Sequence, residues 1–323
     1  MMFSKLSEKS DPKRILVVSM TNIGDVVLSC PVIDILREDF PRAKIDVVIG
    51  PKAVSLFADN PNLSIKVFNK QGSLSQKFAW FSGLTQAYYD CVVDLRHTML
   101  PFFLWPRYAT PVLFRKSSIG HKKEAHLNRL RQVYDFDHPS QKQCAILTTK
   151  EDEQLFKEAI EPELMGKDFV VIAPGAASSD KRWHTKGFAA VADYLSATKR
   201  IVFVGDAKDV GIIKEIQDFM KASSVNLAGK INLRQLAFVL KKSSWAMTHD
   251  SGVMHLASYF NVPLVVLWGP TDINKYAPWC KKSVIVRRNE ECRRCFDPKA
   301  KAAHNCMSFI QVEDVIGAVG KIQ

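Results

Sequence analysis

The sequence predicts an α/β protein of two similar domains, each with a parallel sheet covered by helices. Short runs of Val, Ile and Leu stand between polar turns, which is typical of parallel strands buried on both faces. These runs alternate with helical patterns, as βαβ units require. A length of 323 residues is long for one hydrophobic core and suits two.

In the N-terminal half, strand and helix patterns follow one another from Arg14. The predicted strands are Arg14–Met20, Lys44–Ile49, Ser64–Phe68 and Tyr89–Leu95. The predicted helices are Val26–Asp39, Pro51–Asp59 and Leu74–Gln86. The first helix carries Pro31 in its opening turns, where proline is tolerated.

The segment Thr98–Phe114 interrupts this alternation. Its aromatic and aliphatic side chains are punctuated by Pro101, Pro106 and Pro111, which exclude one long helix. We expect a loop or broken helix packed on the sheet. The alternative is an exposed apolar lip beside a basic stretch, which would suit a lipid surface because aromatic and basic side chains are favoured there.

The second half repeats the same rhythm. The predicted strands are Phe169–Ala173, Arg200–Val204, Ser224–Leu227, Ser244–Thr248 and Pro263–Leu267. The predicted helices are Gly187–Ala197, Val210–Met220, Leu233–Lys241 and Gly252–Phe260. A charged helical pattern ending near Pro162 and Gly166 marks the predicted boundary, which divides the chain into domains 1–165 and 166–310. Residues 311–323 have helical spacing and could pack back on the first domain.

The composition is that of an ordinary globular protein, with 47% apolar and 24% charged residues. No apolar run reaches the length of about 18 residues that a membrane-spanning helix needs. The residues before Asp11 lack the apolar stretch of a signal peptide, which predicts a cytoplasmic protein. In that compartment the seven cysteines, an odd number, are expected to be free thiols.

The net charge of +12 predicts a partner that carries phosphate. Positive side chains concentrate between Arg96 and Arg131, where Glu124 is the sole acidic residue. This stretch is either a solvated surface or a docking surface for a polyanionic substrate. Nucleic acid is not expected as the partner, because no stacking motif or recognition-helix pattern is present.

Gly24 and Asp25 follow the first predicted strand. The glycine permits a tight turn, and Asp25 then lies near a helix N-terminus, where the macrodipole favours its ionised form. Asp25 is either a helix-capping residue or a general base that faces a cleft between the two domains.

The segment Ala173–Trp183 is a second candidate site. The strand ends in Pro174-Gly175, small residues follow, and Lys181 and Arg182 could then neutralise a diphosphate. The alternative is a flexible surface loop. The segment matches neither Gly-x-x-x-x-Gly-Lys-Ser/Thr nor Gly-x-Gly-x-x-Gly, which argues against a nucleotide triphosphatase and a dehydrogenase.

A third candidate begins at Asp250 and Ser251, which precede Gly252 and an apolar helix. This is a strong helix start, and the free N–H groups of a first helical turn bind anions. His255 lies one turn into the helix, and Trp268–Asp272 follows the next strand, so polar groups gather at one sheet edge. Plain capping is the alternative here.

The pair Asp206 and Asp209 also follows a predicted strand. These acidic residues could accept hydrogen bonds from ribose hydroxyls, or could cap a helix.

Cysteines near the C-terminus form Cys292-x-x-Cys295, followed by His304 and Cys306. The first pair has the spacing of a zinc half-site, but a second CxxC pair is absent. We expect unligated thiols in a basic loop and no metal, with a four-ligand zinc site as the alternative.

Together these motifs resemble the bacterial lipopolysaccharide heptosyltransferases of glycosyltransferase family 9. The resemblance extends from Arg14 to the tail. Its most specific segments are Asn22–Val27, Pro174-Gly175, Lys181–Trp183, Asn226–Gly229, Asp250–Leu256 and Trp268–Asp272.

The resemblance implies a GT-B fold, in which two Rossmann-like domains enclose the active site in the cleft between them. The first domain would bind the acceptor and the second ADP-L-glycero-D-manno-heptose. Asp25 matches the family's proposed general base, and Lys181 matches a lysine that contacts the donor diphosphate. The expected donor contacts are Gly175, Ser178, Ser179, Asp209, Asp250, Ser251, Gly252 and His255.

One departure concerns Ala176 and Ala177, which stand where some members have threonines. Ser178 and Ser179 could replace these threonines by a small shift. The alignment also leaves open whether Asp209 or Asp206 would bind ribose. The expected contacts to a phosphorylated lipid A–core acceptor are Asn22, Gly24, Arg96, Arg115, Lys122 and Lys123.

The implied function is an inverting, metal-independent transfer of heptose to the inner core of lipopolysaccharide. No cofactor is expected, and the protein would act at the cytoplasmic face of the inner membrane as a peripheral protein. One alternative is a transferase that uses another nucleotide sugar. Another is a non-catalytic nucleotide-sugar-binding protein, which the presence of Asp25 disfavours.

Overall fold

The computed structural model describes residues 5–7, 9–19, 21–112, 120–288, 291–297 and 299–322. The chain divides into two compact units, Met1–Leu147 and Thr148–Gln323. Within the described ranges, no helix combines the length and apolarity that crossing a membrane requires.

The first unit is an open parallel sheet with helices between its strands. Its strands are β1 (Arg14–Val18), β2 (Lys44–Ile49), β3 (Leu63–Val67), β4 (Cys91–Asp94) and β5 (Tyr108–Ala109). Its α-helices, over the residues described, are α1 (Ile23–Asp39), α2 (Leu74–Thr85), α3 (Leu100–Leu104) and α4 (Lys122–Leu130). A 3₁₀ helix spans Pro51–Phe57. The strand order is β3-β2-β1-β4-β5.

The second unit has the same design. Its strands are β6 (Phe169–Ala173), β7 (Arg200–Phe203), β8 (Val225–Asn226), β9 (Ala246–His249), β10 (Leu264–Leu267) and β11 (Ser283–Val286). They lie in the order β11-β10-β9-β6-β7-β8. Its first helices are α5 (Lys150–Leu155), α6 (Glu161–Leu164), α7 (Thr185–Ser196), α8 (Val210–Phe219) and α9 (Leu233–Lys242). These are followed by α10 (Gly252–Tyr259), α11 (Ile273–Tyr276), α12 (Arg293–Phe296) and α13 (Val312–Gly320).

Both sheets follow one topology. Numbered within its own unit, each sheet runs 3-2-1-4-5, and the second adds a sixth strand beyond the fifth. This is the order of Rossmann-type sheets. Central strands such as β4 and β6 are buried along their whole length, because helices cover both faces of a parallel sheet. The predicted α/β class with two Rossmann-like parallel sheets is therefore confirmed.

The structure divides the chain after Leu147, earlier than the predicted boundary at residue 165. Asp152 accounts for the difference. Its carboxylate completes a capping box with Thr149 at the start of α5, and it also lies 2.9 Å from the guanidinium Nε of Arg234 on α9. The charged helix predicted to end the first domain is thus anchored to the second unit by a buried ion pair, which a sequence pattern does not reveal.

The terminal helix α13 packs within the second unit. Val315 and Val319 are buried in the same core as Phe188 and Trp245, and Asp314 forms a 2.7 Å ion pair with Arg288. The predicted helix exists, and its apolar face is used in this core.

The proline-rich segment forms the short helix α3, which ends at Trp105 in the left-handed conformation with φ 48°. Leu100 and Leu104 pack against the core of the first unit, as expected for a broken helix on the sheet. The aromatic side chains of Phe102, Phe103 and Trp105 are instead exposed. Residues 113–119 lie outside the described residues.

Candidate active site

The predicted motifs follow the two central strands of each sheet. Strand order reverses between β1 and β4 in the first sheet and between β6 and β9 in the second. Asp25 comes after β1, Lys181 after β6 and Asp250 after β9. Open α/β sheets bind ligands beyond the carboxyl ends of their strands, at such a reversal point. Each unit therefore presents its charged residues where this topology accepts a ligand.

Asp25 lies in the first turn of α1 and is half-buried. Asn22 occupies the N-cap position, and its amide Nδ2 donates a 3.1 Å hydrogen bond to the Asp25 Oδ2. Asn22 makes no side-chain capping bond within the described residues. The exposed Asn22 therefore orients the carboxylate of Asp25, and the helix N-terminus adds a favourable dipole for its charge.

Lys181 and Asp250 form the central ion pair of the second unit. The Lys181 Nζ lies 2.9 Å from the Asp250 Oδ2, and the two side chains are 26% and 9% exposed. The ring of His255 stacks on Trp279, and its Nε2 lies 3.9 Å from the other carboxylate oxygen of Asp250. Three predicted donor-site residues thus lie together.

The loop that carries Lys181 is tied to the end of β9. The backbone N–H of Trp183 donates a 3.0 Å hydrogen bond to the Nε2 of His249. Arg182 donates from NH2 to the carbonyl oxygen of Ala176 within the same loop. Lys181 itself ends a 3₁₀ turn at Ser179–Lys181. This segment is therefore an ordered platform, where the sequence also allowed a flexible loop.

The N-terminus of α10 has no side-chain cap in the described part of the chain. Ser251 occupies the N-cap position, but its hydroxyl lies 3.0 Å from the hydroxyl of Thr248. The plain capping that the sequence left as an alternative is therefore not formed at Ser251. The first-turn N–H groups beside Gly252 remain suited to an anionic oxygen.

Asp209 and Asp206 were the two sequence-based candidates for binding ribose. Asp209 lies closer to the donor loop, which is the segment Ala173–Trp183 after β6. A Cβ placed on Gly175 would come within 2.3 Å of the Asp209 carboxylate, and one on Gly205 within 2.7 Å of the Asp209 Cβ. Only glycine permits these approaches. Burial raises the pKa of Asp209, and its Oδ2 accepts a 3.0 Å hydrogen bond from the N–H of Asp206.

The remaining predicted donor residues, Ser178 and Ser179, are exposed on the same loop. Asp206 is also exposed, and its Oδ1 accepts a hydrogen bond from the N–H of Lys208.

On the acceptor side, Gly24, Arg96, Lys122 and Lys123 are half-buried. Arg96 follows β4, and the two lysines open α4. The fourth basic acceptor residue predicted from the sequence, Arg115, lies outside the described residues.

Not every positive side chain of the basic stretch between Arg96 and Arg131 lies at the surface. Arg129 is 4% exposed, and its Nε donates a 3.0 Å hydrogen bond to the carbonyl oxygen of Asp94. Its guanidinium also donates to Pro111 and Gln132. Arg129 therefore holds the end of β4, and a polyanion docking there would use its neighbours.

His249 is a site residue that sequence reasoning did not single out. It is fully buried, and its Nδ1 lies 3.4 Å from the carbonyl oxygen of Gly175. Burial lowers its pKa to about 4. The neutral ring accepts from Trp183 at Nε2 and carries its proton on Nδ1, facing Gly175. Its position immediately before Asp250 was the available signal.

Together, two Rossmann-type sheets and a lysine-bearing loop at a strand-order reversal are typical of α/β proteins that bind a nucleotide. Residues 115–305 match the model of glycosyltransferase family 9 (heptosyltransferase), and the chain belongs to this family.

Known proteins of similar sequence and structure include other members of this family. Lipopolysaccharide heptosyltransferase 3 of Escherichia coli is 26% identical over 330 residues, covering 93% of this chain and 96% of that protein. A glycosyltransferase family 9 structure from Veillonella parvula has a TM-score of 0.78 at 24% identity and covers 97% of both chains. ADP-heptose LPS heptosyltransferase II of E. coli has a TM-score of 0.76 at 20% identity, covering 96% of this chain and 98% of that one.

We predict that acid destabilises the second unit through His249. The pKa of His249 falls from 6.5 to about 4 on folding, so between these pH values the unfolded chain binds a proton that the folded chain excludes. Its contribution is complete above about pH 6.5 and is lost as the pH falls towards 4, by about 3 kcal/mol in all. Urea unfolding at several pH values, followed by tryptophan fluorescence, measures this loss.

The variant His249→Asn keeps an acceptor for the Trp183 N–H and removes the titrating ring. It should unfold with a weaker dependence on pH. The matched control is His126→Asn in the first unit, where burial also lowers the pKa of the imidazole to about 4. This control should leave the pH dependence of the second unit unchanged. An unchanged pH dependence in His249→Asn would contradict the assignment.

Proposed function

We propose that this protein is an inverting heptosyltransferase that moves heptose from ADP-L-glycero-D-manno-heptose to the inner core of lipopolysaccharide. The observation that carries the proposal is the Lys181–Asp250 ion pair beside the uncapped start of α10, at the strand-order reversal of the second sheet. Two of the similar proteins are named as lipopolysaccharide heptosyltransferases, which supports heptose as the sugar.

On the donor side, the diphosphate would lie against Lys181 and the first-turn N–H groups of α10. Lysine and backbone N–H groups are strong donors to phosphate oxygens. Asp209, beside Gly175, would accept hydrogen bonds from ribose hydroxyls. His255, stacked on Trp279, would bind the sugar or its phosphate.

In the chemical step, an acceptor hydroxyl oxygen would attack the anomeric carbon. The new bond forms as the bond from that carbon to the diphosphate oxygen breaks, and the electron pair leaves with ADP. Attack from the opposite face inverts the anomeric configuration. Asp25 would take the hydroxyl proton as the general base.

The charge that develops on ADP needs a compensating positive site. We assign this role to Lys181 and the start of α10, because donors fixed before the reaction need no reorganisation during it. The chemical step would then proceed without a metal ion.

The acceptor would be a phosphorylated lipid A–core, held by the half-buried basic residues of the first unit. These residues are Arg96, Lys122 and Lys123, with Arg115 as a further sequence-based candidate. Asn22 and Gly24 would contact the acceptor sugar beside Asp25. Phosphate groups are the natural partners of such a cationic cluster.

A lipid-linked acceptor also requires access to a membrane surface. We propose that an aromatic patch of Phe81, Phe102, Phe103 and Trp105 provides it, at the cytoplasmic face of the inner membrane. The last three residues are 47%, 59% and 61% exposed. Their rings contact one another, with centroids 5.5 Å apart for Phe102–Phe103 and 6.4 Å for Phe102–Trp105. Aromatic rings beside basic side chains favour the headgroup region.

The first prediction concerns the donor. ADP-heptose should raise the melting temperature more than UDP- or GDP-sugars do, and mass spectrometry should detect heptose transfer to a Kdo–lipid A acceptor. Lys181→Ala should weaken donor binding about 10- to 100-fold, because it removes a charge-assisted contact to phosphate. Lys186→Ala, an exposed lysine on α7, is the control and should bind normally. Preference for a UDP- or GDP-sugar would reject the proposed donor and support the alternative transferase.

The second prediction separates the base from donor binding. Asp25→Asn should lower kcat by about 10²–10⁴ while donor affinity stays unchanged, because the carboxamide cannot accept the proton. Asp135→Asn changes an exposed carboxylate of the first unit, paired with Lys5, and should keep full turnover. Wild-type turnover in Asp25→Asn would exclude Asp25 as the base. Donor binding without any transfer in the wild-type protein would favour a non-catalytic binding protein.

The third prediction concerns the membrane. The protein should co-sediment with phosphatidylglycerol vesicles, and binding should weaken as salt rises. The double variant Phe103→Ser/Trp105→Ser should bind less, since it removes two exposed rings. The matched control Tyr194→Ser/Phe219→Ser removes rings that are 55% and 45% exposed on the second unit, and it should bind normally. Absence of salt-sensitive binding would reject the membrane proposal.

A further inference from the structure

The chain after β11 brings its cysteine motif together in three dimensions. Cys292 and Cys306 are fully buried, and Cys295 is half-buried between them. The three sulfur atoms lie within 4.8 Å of one another. Fourteen positions of sequence separate Cys292 from Cys306, so the fold, and not adjacency, creates the cluster.

Two distances at Cys295 match those between neighbouring ligands of one tetrahedral ion. Zinc–sulfur bonds of about 2.3 Å and zinc–nitrogen bonds of about 2.0 Å imply a separation of about 3.8 Å between two sulfurs, and slightly less between sulfur and nitrogen. The Cys295 and Cys306 sulfurs are 3.8 Å apart, and the His304 Nδ1 lies 3.5 Å from the Cys295 sulfur. His304 thus lies next to Cys295, as the candidate for a fourth ligand.

Positively charged and N–H groups lie beside the cysteine cluster. The guanidinium groups of Arg287 and Arg294 line a cavity of about 320 Å³ together with Cys295 and His304. Arg294 also donates a hydrogen bond to the carbonyl oxygen of Ala300, which fixes it within the loop. The backbone N–H of Asn305 lies 3.4 Å from the Cys292 sulfur and points at it as a donor. Such outer contacts orient the ligands of metal sites and offset their charge.

A disulfide does not account for this arrangement. Bonded sulfurs are about 2.05 Å apart, and a bond between any two of these cysteines would leave a third thiol and an imidazole beside it. A set of separate thiols, which the sequence suggested, does not explain why three sulfurs converge within 4.8 Å of one another with an imidazole nitrogen 3.5 Å from one of them.

We propose that Cys292, Cys295, His304 and Cys306 form a structural site for one tetrahedral transition-metal ion, Zn²⁺ or Fe²⁺. Tetrahedral sites of sulfur and nitrogen ligands select these ions. The ion would cross-link and stabilise a loop whose regular structure, in the described residues, is limited to α12 and a 3₁₀ turn at Cys306–Phe309.

The site also has a positioning role, which rests on the proposed function. The 3₁₀ turn that begins at Cys306 contacts the turn Ser179–Lys181. The Trp183 indole N–H donates a 2.9 Å hydrogen bond to the carbonyl oxygen of Ile310. A Cβ on Gly269 would lie 3.2 Å from the Met307 sulfur. The ion would therefore hold the segment on which the Lys181 loop rests, without contacting substrate.

Metal content is the first test. The full chain, purified without a metal-affinity resin, should contain about one equivalent of zinc or iron by inductively coupled plasma mass spectrometry, which distinguishes the two ions. Cys295→Ser should contain less than about a tenth of an equivalent. Cys280→Ser, a half-buried cysteine of the same unit outside the cluster, should retain the ion. Wild-type protein without zinc or iron, or Cys295→Ser with an unchanged content, would overturn the site.

A second measurement covers the case in which Cys295→Ser fails to fold. Wild-type protein stripped with a chelator is titrated with Co²⁺. Tetrahedral thiolate–cobalt absorption that saturates at about one equivalent supports the site, and its absence overturns it.

The positioning role is tested by ADP affinity, which should be about tenfold weaker in stripped protein and recover on reloading. Equal ADP affinity with and without the ion overturns the positioning role alone. If the purified protein contains the ion but ADP binds neither the loaded nor the stripped form, the proposed function is rejected and the metal site is still supported.

Discussion

The hydrogen bond from the Trp183 backbone to the His249 ring is the contact on which the candidate donor site depends. It joins the loop after β6 to the last residue of β9, so that Lys181 reaches Asp250. The bond requires a neutral imidazole, and full burial of His249 keeps the ring neutral by lowering its pKa to about 4. A buried, uncharged side chain thus sets the position of the partly buried Lys181–Asp250 ion pair beside it.

Close packing around the donor loop also holds Lys181 in position. Gly175 and Gly205 leave space that the Asp209 side chain fills, and a methyl group at either position would collide with it. On the opposite side, the indole of Trp183 is bound to Ile310 at the end of the cysteine-rich segment. The loop is therefore held between an acidic side chain and a distant part of the chain. Catalytic groups need such support, since small displacements are costly to a reaction.

The two units illustrate how charge can be misjudged from a sequence. Arg129 belongs to a basic stretch, yet it is buried and binds backbone carbonyl oxygens. Asp152 belongs to a charged helix, yet it is buried against Arg234. In both cases the sequence shows the charge, but the partner comes from a distant element. A buried charged group must be hydrogen-bonded or ion-paired, so such residues are structural anchors and not docking surfaces.

The sequence by itself determined the class of fold and predicted the candidate site residues. Short buried strands alternating with helices have a strong local signature, and Asp25, Lys181 and Asp250 lie in the segments that follow such strands. Strand order was decided only by the tertiary structure, because local patterns do not encode which strands pair. The same holds for the position of His249 and for the convergence of Cys292, Cys295 and Cys306. These arrangements depend on contacts between residues far apart in the chain, and their energy exists only once the chain has folded.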